Sequence, residues 1–124
     1  MAHILVVDDD EDVRSVLVEM LLEAGFSVTP ANSGVAMRQT LATRDHGVDG
    51  IVLDCLLPGE PSAQLALHAK GLHLPVVMIS GNVEAMKFAD DHGLQLLWKP
   101  FSAAELMVAI NEAMGSGEFG QLEA

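Results

Sequence analysis

Cysteine, aromatic residues and positive charge are all scarce in this chain of 124 residues. The single cysteine, Cys55, excludes an internal disulfide and fits a reducing compartment, so we expect the chain to act in the cytoplasm. One Trp, four Phe and no Tyr leave a core built from aliphatic side chains. No apolar run approaches the roughly 18 to 20 residues that span a bilayer, so membrane insertion is not expected. The N-terminus also lacks the basic stretch and the cleavage site of a secretory signal.

The 6 basic residues stand against 18 acidic ones, which gives a net charge of −12. Such an acidic chain repels phosphate backbones, so direct nucleic-acid binding is not expected. The P-loop of nucleotide-binding proteins and the GxSxG motif of hydrolases are absent from the sequence. The five histidines show no metal-ligand spacing and give no support to a zinc site.

Apolar runs typical of buried strands alternate with segments of helical periodicity along the chain. The predicted strands cover residues 3–7, 26–31, 50–53, 76–79 and 94–98. The first predicted helix ends at Gly25, and the next three cover residues 35–44, 62–70 and 83–92. A capping box from Ser102 to Glu105 begins the last helix.

Strands this continuous in apolar residues, each followed by a helix, predict an α/β fold with a parallel sheet. We expect a flavodoxin-like, doubly wound sheet of five strands in the order 2-1-3-4-5, with helices on both faces. Pro30 favours an edge position for strand 2. The fold is expected to form one domain over residues 1–114, followed by a flexible, Gly-rich tail over residues 115–124.

Polar residues close four of the five predicted strands. Asp8 and Asp9 follow strand 1, Asp54 follows strand 3, Ser80 follows strand 4 and Lys99 follows strand 5. Ligands of open parallel sheets bind beyond the carboxyl ends of the strands, where the strand order reverses. The order 2-1-3-4-5 therefore predicts one shallow cleft that collects three carboxylates, a hydroxyl and an ammonium.

Three neighbouring carboxylates repel one another and favour a bound counter-cation. Mg²⁺ prefers carboxylates together with waters and phosphate oxygens, while Lys99 and Ser80 supply a positive charge and a hydroxyl donor for phosphate. The backbone N–H groups of Cys55 and Gly81 are further candidate phosphate donors. Taken singly, the acids suit a helix N-terminus and Asp54, Ser80 and Lys99 suit ordinary surface or turn roles. Their joint placement favours a phosphoryl group carried on one carboxylate.

Four segments, ILVVDDD, IVLDCLLPG, VVMISGN and LLWKPF, resemble in order the signature stretches of response-regulator receiver domains. The resemblance covers residues 3 to about 114 and implies a phosphoacceptor domain of two-component phosphorelay signalling. It implies that Asp54 takes a phosphoryl group from the phosphohistidine of a sensor histidine kinase or a histidine phosphotransfer protein. It also implies an unidentified downstream protein partner, and it leaves open a homodimer.

The same resemblance assigns the individual roles at the cleft. Asp9, Asp54 and the backbone carbonyl of Leu56 would bind Mg²⁺ or Mn²⁺, with Asp8 acting mainly through water. Ser80 would turn toward a phosphoryl oxygen and Lys99 would pair with it. The bond between Lys99 and Pro100 resembles the cis peptide of the family. A domain of this kind catalyses only its own phosphorylation and dephosphorylation and is not otherwise an enzyme.

The sequence departs from the family pattern at several positions. Leu96 stands three residues before Lys99, where the family often has an aromatic switch residue, and the segments that separate Asp54, Ser80 and Lys99 are a few residues short. A degenerate receiver that serves only for docking therefore stays open as an alternative. A second alternative is a phosphatase with an aspartyl-phosphate intermediate, but Leu56 occupies the position where such enzymes commonly have a general acid.

Overall fold

The structure is a computed structural model that describes residues 2–115 of the chain. The strands are β1 His3–Val7, β2 Ser27–Ala31, β3 Gly50–Asp54, β4 Val76–Ser80 and β5 Gln95–Trp98. The helices are α1 Glu11–Glu23, α2 Gly34–Ala42, α3 Ser62–Gly71, α4 Val83–His92 and α5 Ala103–Ala113. Apart from Gly115, the predicted flexible tail lies outside the described residues.

All neighbouring strands pair in parallel, in the order β2-β1-β3-β4-β5. This order confirms the predicted doubly wound sheet, with β2 and β5 at its two edges. Pro30 lies on β2, where a residue without an N–H group is tolerated because one side of the strand has no partner. The chain passes from β1 to β2 on one side and then crosses back to β3 on the other side of β1. The topological switch point of the sheet therefore lies between β1 and β3.

Two apolar layers hold the sheet between its helices. Leu5, Ile51 and Met78 point toward α2, α3 and α4, whereas Val6 and Val77 point toward α1 and α5. Successive side chains of a strand alternate between faces, so strands that are apolar throughout can bury both faces at once. Burial of both faces of the sheet between two layers of helices explains why the strand segments of the sequence are apolar throughout.

Helix caps fix where the chain turns at both edges of the sheet. Asp10 caps α1, because its carboxylate accepts hydrogen bonds from the backbone N–H groups of Asp12 and Val13. The predicted capping box of α5 is confirmed, with Ser102 and Glu105 bonded reciprocally. Gly93 ends α4 in the left-handed conformation with φ of 65°, which a glycine adopts without steric cost.

The observed boundaries differ from the predicted ones by at most two residues, and helix α1 ends at Glu23 and not at Gly25. Helix α2 ends at Ala42 and not at residue 44. Strands β3 and β4 each include one more residue than predicted, so Asp54 and Ser80 are the last residues of their strands. Within residues 2–115, no helix is long and apolar enough to cross a membrane.

Candidate functional site

The carboxyl ends of β1, β3, β4 and β5 form one edge of the sheet, and the polar residues predicted there lie at those ends. Asp8 and Asp9 follow β1, Asp54 and Ser80 end β3 and β4, and Lys99 follows β5. Neighbouring strands are hydrogen-bonded to each other across this edge. β2, at the far edge, contributes none of these residues, as the sequence predicted.

Three carboxylates meet at this edge. Asp8, Asp9 and Asp54 each offer an oxygen atom, and the three oxygens lie within 4.8 Å of one another. The side chains differ in exposure, because Asp8 and Asp54 are buried while Asp9 is open to solvent. Negative charges this close repel one another strongly where burial removes screening by water.

Lys99 compensates part of this charge. Its Nζ lies 3.3 Å from Oδ1 of Asp54, and its side chain remains about one third exposed while that of Asp54 is buried. The backbone N–H of Lys99 donates to the carbonyl of Ser80 at 3.0 Å, which continues the ladder between β4 and β5 beyond the last strand residue. One ammonium against three carboxylates leaves the cluster with an excess of negative charge.

Asp8 carries the clearest sign of a missing partner. Its Oδ1 accepts the backbone N–H of Asp10 at 2.9 Å, but its buried Oδ2 has no hydrogen-bond partner within residues 2–115. Burial raises the pKa of Asp8 to about 6. The negative charges of Asp54 and Asp9 raise it further, whereas the hydrogen bond from the Asp10 N–H and the positive charge of Lys99 lower it. A buried carboxylate oxygen beside two other carboxylates fits a hard divalent cation such as Mg²⁺.

Ser80 connects the cluster to helix α4. Its hydroxyl is buried and accepts the backbone N–H of Asn82 at 2.8 Å. Asn82 in turn caps α4, because its side-chain oxygen accepts the backbone N–H of Glu84 at 2.7 Å. Two hydrogen bonds, both made by Asn82, therefore connect the Ser80 hydroxyl at the end of β4 to the first turn of α4.

One of the two predicted backbone donors, the Cys55 N–H, is already engaged within the sheet. The Cys55 N–H donates to the carbonyl of Ile79 at 2.9 Å, as part of the ladder between β3 and β4. The Leu56 N–H instead points at Oδ1 of Asp54, at 3.3 Å. Cys55 was predicted as a phosphate donor because it follows Asp54, but the strand pairing continues through Cys55 and occupies its N–H. Beside Gly81 the space is open, since an added Cβ would meet nothing within 4 Å.

Two further interactions position the loop after β3, and sequence reasoning missed both. The buried Ser62 donates its hydroxyl to the backbone carbonyl of Asp54 at 2.7 Å. Arg38 of α2 forms a two-pronged ion pair with Glu60 in the same loop, with Nε and Oε1 2.7 Å apart. A serine at a helix start is normally read as a cap, so the sequence carried no signal for the contact of Ser62 with Asp54.

Cys55, which follows Asp54 in the chain, lines a cavity of about 300 Å³ together with Ser80 and Phe88. Burial, reinforced by the charge of Asp54, raises the pKa of the Cys55 thiol to about 11 against the smaller opposing effects of Ser80 and Lys99. The side chain is therefore a protonated thiol at neutral pH and a poor nucleophile.

The Lys99–Pro100 peptide bond is cis, as the resemblance implied.

Comparison with known proteins agrees with the geometry of the site. Residues 4–111 match the family model described as the response regulator receiver domain. The chain belongs to this family. It is a receiver domain of the response regulators of two-component signalling, and it is a signalling domain rather than a conventional enzyme.

The chain is 34% identical over 127 residues to the transcriptional regulatory protein FixJ of Azorhizobium caulinodans, covering 95% of this chain and 58% of that protein. It is 33% identical over 118 residues to protein PetR of Rhodobacter capsulatus, covering 88% of this chain and 47% of that protein. The receiver domain thus spans about half the length of these relatives.

Solved structures show the same fold. A receiver domain protein from Clostridium thermocellum superimposes with a TM-score of 0.86 at 23% identity, covering 96% of this chain and 98% of that one. The receiver domain of NtrX from Brucella abortus superimposes with a TM-score of 0.80 at 31% identity, covering 90% and 97% of the two chains.

Proposed function

We propose that Asp54 is the phosphoacceptor of this receiver domain. The observation that carries the proposal is the meeting of the three carboxylates of Asp8, Asp9 and Asp54 with the ammonium of Lys99 at one sheet edge. Such a cluster is costly to the fold unless a bound group uses its charge. The family membership of the chain supports the same reading, because receiver domains are phosphoacceptors.

In the proposed reaction, a carboxylate oxygen of Asp54 attacks the phosphorus of a phosphohistidine on a sensor histidine kinase or a histidine phosphotransfer protein. The new O–P bond forms as the P–N bond breaks, and the bonding electron pair remains on the imidazole nitrogen. Lys99 already lies against Asp54 and would offset the charge of the incoming phosphoryl oxygens. The Leu56 N–H, which points at Asp54, would donate a hydrogen bond to the phosphoryl group, and the Ser80 hydroxyl at the end of the neighbouring strand would be a further donor.

The carboxylates of Asp9 and Asp54, the backbone carbonyl of Leu56 and, through water, Asp8 would hold Mg²⁺ or Mn²⁺. The bound cation would supply positive charge to the transferring phosphoryl group. The buried, unpartnered Oδ2 of Asp8 and the close approach of the three carboxylates support this fit. The backbone N–H of Gly81 remains a proposed phosphoryl donor, while the N–H of Leu56 replaces that of Cys55 in this role.

The partners follow from this chemistry. A phosphohistidine protein acts upstream, an unidentified protein reads the phosphorylated state downstream, and direct nucleic-acid contact is disfavoured by the net charge of −12. The single cysteine, which has no second thiol in the sequence to pair with, is consistent with the cytoplasm as the site of action. The domain turns over only its own phosphoryl group, and residues 1–114 form the whole phosphoacceptor unit.

The test is incubation of the purified chain with acetyl phosphate and Mg²⁺, followed by mass spectrometry and Phos-tag electrophoresis. We expect a single phosphoryl group that is stable in acid and labile in base. Asp54→Asn should abolish labelling, and Asp90→Asn, an exposed aspartate on α4, should leave it unchanged. Equal labelling of the Asp54→Asn protein would show that another residue is the acceptor.

A further inference from the structure

The loop between β3 and α3, residues 55–61, carries the two backbone groups of Leu56 that the proposed function uses. It begins at the site, where the Leu56 N–H lies 3.3 Å from Oδ1 of Asp54. Leu56, Pro58 and Gly59 are exposed to solvent, so little packing holds this part of the loop in place. The position of Leu56 therefore depends on the contacts that the rest of the loop makes.

Helix α2 supplies a contact that holds the loop from outside. Arg38 of α2 forms a two-pronged ion pair with Glu60 of the loop, in which Nε lies 2.7 Å from Oε1 and Nη2 donates to Oε2. A planar guanidinium and a carboxylate paired in this way are fixed in orientation as well as in distance. The hydrogen bonds from Arg38 lower the pKa of the Glu60 carboxyl, so the pair is fully charged at neutral pH.

Helix α2 is itself held closely against α3, which gives the ion pair a fixed base. A Cβ added at Gly34 would lie 3.0 Å from Cδ1 of Leu65, a fully buried side chain of α3. Arg38 follows Gly34 by four residues, so the two positions lie on the same face of α2. The face of α2 that approaches α3 therefore also carries the arginine that holds the preceding loop.

Residues 56–60 have few other anchors. In the described part of the chain, they make two hydrogen-bonded contacts to other elements. One joins the Leu56 N–H to Asp54 at the start of the loop. The other is the ion pair of Glu60 with Arg38 near its end. Loss of the ion pair would thus leave this stretch tied at the phosphoacceptor alone.

We propose that Arg38 and Glu60 are positioning residues for the cation of the phosphoacceptor site. Their ion pair holds the loop with the Leu56 N–H facing Asp54 and so sets where the Leu56 carbonyl meets Mg²⁺. Without the pair, part of the binding free energy of the cation would be spent on ordering the loop, and its affinity would fall. The inference rests on the proposed function for the roles of the cation and of Leu56.

The test begins with Mg²⁺ titrations followed by NMR, without any phosphodonor. Glu60→Gln and Arg38→Gln each remove the ion pair, and each should weaken Mg²⁺ binding about threefold, as expected for a partly exposed pair. The two changes shift the net charge in opposite directions. Long-range electrostatics alone would therefore weaken binding in Glu60→Gln and strengthen it in Arg38→Gln. Opposite effects of this kind, or unchanged binding in either variant, would overturn the proposal.

Two further variants serve as controls. Asp91→Asn removes one partner of the exposed ion pair between Lys87 and Asp91 on α4 and should keep the parent affinity. The double variant Arg38→Gln/Glu60→Gln has the net charge of the parent and should bind Mg²⁺ as weakly as either single variant, because the same interaction is lost in all three. Parent affinity in the double variant would overturn the proposal.

Hydrogen–deuterium exchange in the metal-free protein reads the loop directly. Exchange in the peptide that covers residues 55–61 should be faster in Glu60→Gln and Arg38→Gln than in the parent and in Asp91→Asn. Equal exchange in all four proteins would overturn the proposal, because the pair would then not order the loop.

Labelling with acetyl phosphate separates this inference from the proposed function. Glu60→Gln should need about three times more Mg²⁺ for half-maximal labelling, and at saturating Mg²⁺ its rate should equal that of the parent, because the bound cation then orders the loop. A slower rate that excess Mg²⁺ does not restore would overturn the proposal. Failure of the proposed function is a different result, namely equal labelling of the parent and the Asp54→Asn protein.

Discussion

The backbone N–H of Asn82 donates to the buried hydroxyl of Ser80 at 2.8 Å, while the side chain of Asn82 caps helix α4. A change of the Ser80 side-chain rotamer that turned the hydroxyl toward a phosphoryl group on Asp54 would move it away from this position. Rotation of Ser80 would leave the Asn82 N–H without its acceptor and loosen the first turn of α4. Through the contact between Ser80 and Asn82, phosphorylation of Asp54 would thus be linked to helix α4.

This link predicts a change in amide exchange. In the parent protein, labelling with acetyl phosphate should speed hydrogen–deuterium exchange in the peptide that covers residues 81–88. Ser80→Ala removes the acceptor altogether, so exchange there should be fast with or without phosphodonor. Ser80→Thr keeps a hydroxyl and should respond as the parent does. Exchange that rises on labelling in the Ser80→Ala protein as much as in the parent would exclude the hydroxyl as the link.

A second prediction concerns Asp8, whose pKa burial raises from 3.8 to about 6. The folded state then holds a proton more tightly than the unfolded state, so the free energy of unfolding falls as the pH rises from about 4 to 6 and stays low above it. Asp8→Asn removes this penalty while its side-chain oxygen can still accept the Asp10 N–H. We expect the variant to be more stable than the parent by about 2 to 3 kcal/mol above pH 6 without Mg²⁺.

Urea unfolding at pH 4 and pH 8 measures this difference, which should be small at the lower pH. Added Mg²⁺ should stabilise the parent at pH 8 and the Asp8→Asn protein much less, because the variant loses a carboxylate that would hold the cation through water. Asp12→Asn provides the matched control, since Asp12 is an exposed acid of the first turn of α1 and its loss should be slightly destabilising. An Asp8→Asn protein no more stable than the parent at pH 8 contradicts the account of the buried charge.

The sequence was sufficient to predict the fold and the sheet edge at which the polar side chains lie, but not the hydrogen bond of the Cys55 N–H or the contacts of the loop after β3. Apolar runs that stop at Asp8, Asp54, Ser80 and Lys99 are local signals, and parallel topology then brings the strand ends together. Whether the hydrogen-bond ladder between β3 and β4 extends to Cys55 depends on the register of these two strands, and no local sequence pattern determines that register. The contact between Ser62 and Asp54 depends in the same way on the path of a loop.

That contact of Ser62 gives a third prediction. Its hydroxyl donates to the carbonyl of Asp54 in a buried setting, so Ser62→Ala leaves a buried acceptor without a partner. We expect a loss of about 1 kcal/mol in the free energy of unfolding, measured by urea denaturation. Ser15→Ala, at an exposed position inside α1, should be neutral or slightly stabilising because alanine favours helix. If the two variants are equally stable, the hydrogen bond of Ser62 makes no net contribution.

The last prediction concerns how long the phosphorylated state persists, and it depends on Leu56. The side chain of Leu56 is 67% exposed, and its N–H points at Asp54, so it lies at the mouth of the site. Hydrolysis of a phosphoaspartate requires a water aligned opposite the aspartyl oxygen, and leucine can neither donate nor accept a hydrogen bond to that water. Asn82 is the other neighbour of the site, but its side-chain oxygen is already engaged in capping α4. We therefore expect slow loss of the phosphoryl group.

Leu56→Asn tests this expectation, because the amide can hold the attacking water. A hydrogen bond of about 1 kcal/mol in the transition state corresponds to roughly a fivefold faster dephosphorylation. The rate is measured on protein labelled with acetyl phosphate, after removal of the donor and in excess Mg²⁺ without kinase. Leu72→Asn makes the same substitution at an exposed leucine that follows α3 and should keep the parent rate. If Leu56→Asn loses phosphate no faster than Leu72→Asn, the leucine at position 56 does not set the lifetime, and the alignment of water must be limited elsewhere in the site.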